Sequence, residues 1–378
     1  MRIGIITFHA SHNYGSMLQA YALQVVLGKM GHQVETINLR HDSQRKMYAH
    51  PLDIKRRGLI RVCHDIIISP FVTLMAIRKW RKYENFLYNN LQLSREYYCL
   101  QDLEKANLNY DLLIVGSDQI WNTHCKDFDL AYFGNFIGED ARKISYAPSM
   151  GTNPEVNVDK SIVEKYCKGF AAISVREERT KLFLQNCGIS QDIKITLDPT
   201  LLLDDADYQS LSQTPALIRD RYVFFYDPFI KPNNLKIASN IAQEMGLSVV
   251  CDRYYYKNHR KSLFNIKFYT NVGPSEFLNL TKNATIICGR SFHSIVFAIL
   301  MKKDFLAIDG DKDSRMANLL KSLGLEHRII RLDCPENYPK DHIENWDEIH
   351  SRLTELRHDS LNWLSAAIDK DNFNYSVK

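Results

Sequence analysis

The chain has 378 residues, 45% hydrophobic and 24% charged, which excludes a mainly disordered or low-complexity protein and exceeds what one hydrophobic core usually organises. Lysine plus arginine exceed aspartate plus glutamate by 48 to 44, and a net charge of +4 is too small to suggest a nucleic-acid binder. No apolar run approaches the roughly 20 residues needed to cross a bilayer, the N-terminus has no secretion pattern, and the eight cysteines never reach a C-x-x-C spacing, so a cytoplasmic protein without disulfide or zinc is expected.

Residues 2–7 are a continuous apolar run, and after a short polar loop Leu18, Tyr21, Ala22, Val25 and Val26 recur at helical spacing between Gly15 and Met30. Gly31 ends that helix and residues 34–39 alternate as a strand, so the first forty residues predict a strand-helix-strand unit with a parallel sheet. The stretch 54–82 carries Lys55, Arg56, Arg57, Arg61, Arg78, Lys79, Arg81 and Lys82 against Asp65 alone, which is 8 − 1 = +7 and leaves 4 − 7 = −3 for the rest. Its twelve mainly apolar residues, 66–77, cannot span a membrane, and Pro70 divides them into two predicted helices. With basic flanks and Trp80, the segment suits an anionic inner-membrane surface, and equally a helical pair packed on its own domain or against a second copy in a homo-oligomer.

Further strands are predicted at 112–115, 143–146, 171–175 and 193–197, with helices at 160–170 and 177–185. A polar stretch at 204–220 then separates a second set, with strands at 222–226, 248–251, 284–287 and 305–308 and helices at 234–245, 274–281, 292–301 and 316–323. The expected organisation is an N-terminal α/β domain at 1–205 with an insertion at about 45–105, a C-terminal α/β domain at 220–345, and a helix and tail at 346–378. The fold class is α/β, with two Rossmann-like doubly wound domains and a central cleft, so residues just after strands are the functional candidates.

After the first strand, Asn13 or Ser16 can cap the helix and Gly15 lets backbone approach a ligand, although no G-x-G-x-x-G fingerprint is present. After 112–115 come Ser117, Asp118, Gln119 and Trp121, a hydroxyl, a carboxylate, an amide and an indole that suit a sugar, with Asp118 able to act as a base. The same residues also suit a plain turn with Trp121 in the core. Arg176 follows the strand at 171–175, where its fork fits a carboxylate or phosphate, or an ion network with Glu177, Glu178 and Arg179. In the second half, Arg290, Ser291, His293 and Ser294 sit where a strand turns into a buried helix, a place that favours an anion.

These blocks carry a resemblance. Gly4-Ile5-Ile6-Thr7-Phe8, Asn13-Tyr14-Gly15, Gln19 to Gln24, Val115 to Asn122, Ser145 to Ser149, Ser174 to Glu178, Leu197 to Thr200, Gly273-Pro274 and Ser291-Phe292-His293, in this order, resemble the polysaccharide pyruvyl transferase family. The resemblance implies a GT-B-like arrangement and transfer of pyruvate from phosphoenolpyruvate to a sugar as a ketal, with no cofactor and no metal. On that chemistry His293 is the acid, because imidazole can carry a proton near neutral pH, and Asp118 serves the acceptor hydroxyl. Arg176, Arg290, Ser291 and Ser294 take the donor, while Asn13, Tyr14, Gly15, Gln19, Ser117, Gln119, Trp121, Tyr146 and Ser149 form the acceptor side. The implied partners are phosphoenolpyruvate and a sugar or lipid-linked oligosaccharide, such as a capsule or exopolysaccharide precursor.

One departure stands out: family members with an S-x-R-x-H pattern have arginine two positions before the histidine, whereas here that position is Ser291 and Arg290 lies one earlier. Two other readings fit the same frame. A nucleotide-sugar glycosyltransferase often shows E-x7-E in its second domain, a spacing found in that half only at Glu336 and Glu344 with Pro339 between them. A non-catalytic sugar-binding or assembly protein needs only the binding residues.

Overall fold

The computed structural model describes residues 1–138, 142–212, 215–229, 231–253 and 265–369. Two compact units divide the chain: the first comprises Met1–Gly58, Leu87–Leu203 and the chain from Leu353 onward, the second Leu59–Phe86 and Asp204–Arg352.

The first unit is built on seven strands, β1 (Arg2–Ile6), β2 (Gln33–Leu39), β3 (Leu93–Tyr97), β4 (Leu112–Val115), β5 (Lys143–Ser145), β6 (Ala172–Val175) and β7 (Ile193–Ile195). Their order across the sheet is β3-β2-β1-β4-β5-β6-β7, and every neighbouring pair is parallel. Unbroken apolar runs such as Leu112–Val115, buried at all four positions, follow from this, because a central parallel strand is covered on both faces. Strand order reverses between β1 and β4, which pair Ile6 with Val115 at their ends. At such a switch point the loops leaving the two strands diverge to opposite faces and leave room for a ligand.

The second unit repeats the design with β8 (Tyr222–Tyr226), β9 (Ser248–Cys251), β10 (Ile266–Phe268), β11 (Ile286–Gly289), β12 (Asp304–Ile308) and β13 (Ile329–Ile330), ordered β10-β9-β8-β11-β12-β13 and parallel throughout. Its switch point lies between β8 and β11. Phe224, Tyr226 and Phe297 pack edge to face or tilted around Phe277, while Val223 and Phe225 on the other face join Leu235, Ala238 and Ile241 of the helix Pro232–Glu244.

Every element expected from periodicity is present, and three short edge strands, β3, β10 and β13, were not expected. Residues 213 and 214 of the polar boundary and 370–378 of the C-terminal tail lie outside the described residues. Residues 59–86, placed by the sequence inside an insertion of the N-terminal domain, group with the second unit, and the terminal helix divides between the two units at Leu353. The helices covering 59–86 are Leu59–Ile68 and Pro70–Asn90, bent by 114° at a proline whose missing N–H and fixed φ start the second helix. Lys82 holds the second helix in place by pairing with Glu276 at 2.9 Å and donating to the Asn271 carbonyl at 2.7 Å. The terminal helix Trp346–Ile368 ends in the first unit, where Arg357 donates to the Leu201 carbonyl at 2.7 Å and Arg142 to the carbonyls of Ala367 and Ile368.

One glycine ends the central strand on each side. Gly116 has φ +138°, and a Cβ there would run into the Tyr146 carbonyl; a Cβ on Gly289 would run into the Tyr226 carbonyl. Gly188, with φ +75°, opens onto free space. Gly116→Ala is therefore expected to lower unfolding stability by at least about 2 kcal/mol in urea titration, against about 1 kcal/mol for Gly188→Ala.

Candidate functional site

The first unit's switch point gathers the loop after β1 and the loop after β4. Asn13 caps the helix Tyr14–Lys29, its Oδ1 accepting the Gly15 amide at 2.9 Å and the Ser16 amide at 3.4 Å. From that turn Ser16 Oγ donates to Asp118 Oδ2 at 2.5 Å, while the Gln119 amide donates to Oδ1 at 2.8 Å. Asp118 itself has φ +68°, a left-handed conformation that Asp tolerates better than most residues. Gln19 bridges the loops, its Nε2 donating to Thr7 Oγ1 and the Ser16 carbonyl, both at 2.9 Å, and its Oε1 accepting from the Ser117 amide at 3.2 Å.

Ser117 is the centre of this network. Its Oγ donates to the Ala147 carbonyl at 2.8 Å and accepts from Arg176 at 2.6 Å. Arg176 also pairs with Asp198 at 2.9 Å, the two side chains only 2% and 0% exposed. Nearby, Ser149 Oγ donates to Glu177 at 2.9 Å and Tyr146 Oη to the Leu197 carbonyl at 3.0 Å.

This burial corrects several expected contacts. Tyr14, Gln19, Ser117, Trp121, Tyr146 and Ser149 have no exposed surface, so in this structure they support the site rather than line it. Trp121, expected to cover a sugar ring, stacks on Phe133 at 5.5 Å and donates Nε1–H to the Tyr132 carbonyl at 3.0 Å; it belongs to the core. Gly15 is buried, while Asn13 and Gln119 stay half-buried and Asp118 keeps a small exposed area. Arg176, expected to clamp the donor, has its guanidinium committed to Asp198 and Ser117.

Sequence reasoning missed a second carboxylate. Asp127 Oδ2 accepts from Ser11 Oγ at 2.8 Å and Tyr48 Oη at 3.0 Å, its carbonyl accepts from His41 Nε2 at 2.9 Å, and the Tyr48 ring stacks on His12 with centroids 5.0 Å apart. Burial pushes the Asp127 carboxyl above the usual range, with the charge of Asp118 adding to the rise and the two hydroxyl donors opposing it. Ser11, Tyr48 and Asp127 lie on three separated stretches, and no motif spacing in the sequence links them.

In the second unit the switch point is formed by the residues after β8 and β11. The helix Phe292–Leu300 starts at Ser291, whose carbonyl accepts the Ser294 hydroxyl at 2.8 Å, and carries His293 in its first turn with 7% exposure. Arg290 lies over the Phe229 ring at 5.2 Å and pairs with Asp309 at 2.8 Å. Arg315 lies over Phe292 and pairs with Asp313 through two bonds of 2.9 and 2.6 Å. After β9, the fully buried Asp252 holds Arg253 at 2.7 Å and faces Lys79 at 3.9 Å, and burial pushes the Lys79 ammonium down. His293, Arg290, Ser291 and Ser294 thus share one turn, while Arg176 lies in the first unit. Among the described residues no group of three or more His, Cys, Asp or Glu side chains could hold a metal ion.

A family model described as "Polysaccharide pyruvyl transferase" matches residues 13–312, from the capping asparagine through both switch points. The chain belongs to the polysaccharide pyruvyl transferase family. That family is one of transferases, and a sugar or polysaccharide acceptor comes with it. Among solved structures, UDP-GlcNAc 2-epimerase from Neisseria meningitidis is 13% identical with a TM-score of 0.51, covering 99% of this chain and 96% of its own. The putative UDP-N-acetylglucosamine 2-epimerase from Listeria monocytogenes is 10% identical, TM-score 0.51, covering 96% and 90%. The glycosyltransferase SnogD from Streptomyces nogalater is 9% identical, TM-score 0.47, covering 97% and 99%. At their identities the two epimerases share with this chain the fold alone, which is of the GT-B class. No curated protein sequence matches the chain.

The Asp127 environment gives a signed pH dependence. A carboxyl that holds its proton more tightly when folded costs stability once the pH rises above the ordinary aspartate value of about 3.9. Asp127→Asn, which keeps an acceptor oxygen, should match wild type near pH 3 and gain in melting temperature relative to it as pH rises to 7; a difference that stays flat across that window rejects the raised value.

Proposed function

We propose that the protein transfers the pyruvyl group of phosphoenolpyruvate to two hydroxyls of a sugar, forming a ketal and releasing phosphate. Family membership carries this reading. It is supported by the two switch-point sets, one placing Asp118 beside the half-buried Asn13 and Gln119 and one offering a helix N-terminus, Arg290 and His293. In the reaction the enol C3 gains a proton and C2 becomes an oxocarbenium-like centre. One sugar oxygen adds to C2, the C2–O bond to phosphate breaks, and the second sugar oxygen takes its place. Two hydroxyl protons leave; one replaces the proton delivered to C3 and the other departs with phosphate.

His293 delivers the proton to C3, Arg290 and the first-turn amides at Ser291 hold the donor's anionic groups, and Asp118 takes the hydroxyl proton. Arg176 acts as a positioning residue, fixing Ser117 and through it the backbone that carries Asp118. Phosphoenolpyruvate as donor makes this a cytoplasmic reaction, and the acceptor is a capsule or exopolysaccharide precursor, free or lipid-linked.

The test incubates purified protein with phosphoenolpyruvate and a panel of lipid-linked and nitrophenyl sugars, following phosphate release and product mass. Product from a nucleotide sugar with phosphoenolpyruvate inert would assign a glycosyltransferase instead, and no turnover with any donor a binding protein. His293→Gln should lower turnover by roughly 10² to 10⁴ with donor requirement little changed, the range for losing a general acid. Asp118→Asn, which still accepts from Ser16 and Gln119, should lower turnover without raising the phosphoenolpyruvate requirement, whereas Arg290→Ala should raise it.

A further inference from the structure

Ten of the nineteen exposed large hydrophobic residues among the described residues fall between Leu52 and Leu74. They concentrate at the bend between the helices Leu59–Ile68 and Pro70–Asn90, where Ile67 is 74%, Ile68 65%, Phe71 68% and Val72 58% exposed. A protein that otherwise buries its large apolar side chains does not leave such a cluster bare without a partner.

The second helix sorts its side chains into two stripes. Phe71, Leu74, Arg78 and Arg81, spaced by three, four and three residues, are all exposed, whereas Met75, Lys79 and Lys82 are half-buried and lead to the buried Phe86. Lys79 and Lys82 face Asp252 and Glu276 of their own unit, so two of the four basic residues at 78–82 are occupied internally. The outward stripe is graded along its length. Apolar groups sit at the bend, and Arg78 and Arg81 follow about 6 and 10 Å further along the helix axis from Leu74. Arg61 stands about 8 Å from Ile66 on the first helix by the same rise, and is exposed too. Arg61 and Arg78 thus lie within one headgroup layer, about 5–8 Å, of the apolar edge at Ile66 and Leu74, with Arg81 just beyond it.

We propose that this hairpin tip inserts shallowly into an anionic lipid bilayer, with Ile67, Ile68, Phe71 and Val72 entering the acyl boundary and Arg61, Arg78 and Arg81 meeting phosphate headgroups. Charge selects this occupant over a second copy of the chain. Of the net +7 on residues 54–82, Arg56, Lys79 and Lys82 are paired with Asp53, Asp252 and Glu276, and a two-fold pairing would set the remaining 7 − 3 = +4 against itself, whereas anionic lipids neutralise it. The 114° bend keeps the apolar segment at one surface. The inference does not depend on the pyruvyl-transfer reading, since binding to lipid needs no substrate.

The full-length protein is sedimented with vesicles of phosphatidylcholine alone and of phosphatidylcholine with phosphatidylglycerol, without donor or acceptor. Wild type should bind only the mixed vesicles, and less at high salt. Arg78→Gln with Arg81→Gln should weaken binding about 30-fold, the loss expected for two surface cations. Ile67→Asp with Phe71→Asp, at exposed positions that leave the fold intact, should weaken it at least tenfold, while Lys79→Gln with Lys82→Gln should change it less than threefold. Wild type that fails to bind the mixed vesicles overturns the proposal. So does a wild-type dimer in light scattering that Ile67→Asp with Phe71→Asp converts to monomer.

Discussion

The first unit's switch point hangs on one buried guanidinium. Arg176 sits at the end of β6 with a side chain almost wholly out of water, a position that an ionised group occupies at high cost unless it is paired and hydrogen-bonded. Asp198 supplies the pair, and is itself held by the Thr200 amide at 3.0 Å and hydroxyl at 2.5 Å. The other direction runs through Ser117 to the Ala147 carbonyl, so a single side chain joins the ends of β4, β5 and β6 and the turn after β7. Asp118 is the next residue along, and its position is inherited from this tie.

In the second unit the cations are held differently. Arg290, Arg315 and Arg253 each lie over an aromatic ring and each has its own aspartate. Rings and carboxylates together fix the orientation of each fork before any ligand arrives, which lowers the ordering cost of binding. The same carboxylates cancel much of the local positive charge.

Much of this was legible in the sequence, for definite reasons. Apolar runs of four or five residues marked the central strands, and the loops after them carry Asp118 and Arg290, because a doubly wound sheet exposes its strand ends at the switch point. Edge strands such as β13, two residues long, carry too little pattern to be seen. Trp121 shows the limit at the level of one residue: the sequence places it beside Asp118, but only packing against Phe133 and Phe170 decides that its indole turns inward. Lys79 and Lys82 carry the same lesson, since charge counting cannot distinguish a cation facing lipid from one facing Asp252 or Glu276. Asp127 was invisible because its partners come together only through tertiary folding.

The interlaced membership of the two units also governs the order in which the molecule can be made. The hairpin of residues 59–86 leaves the ribosome well before the β8–β13 unit it packs against, so its apolar tip and its inward lysines wait while nearly two hundred residues are synthesised. The first unit waits longer still, because Arg142, Leu197 and Leu201 receive or offer their bonds to a helix that ends at Ile368. Neither unit is a contiguous stretch of gene that could be cut out and expressed alone, and native closure of both belongs to the final moments of translation or after it.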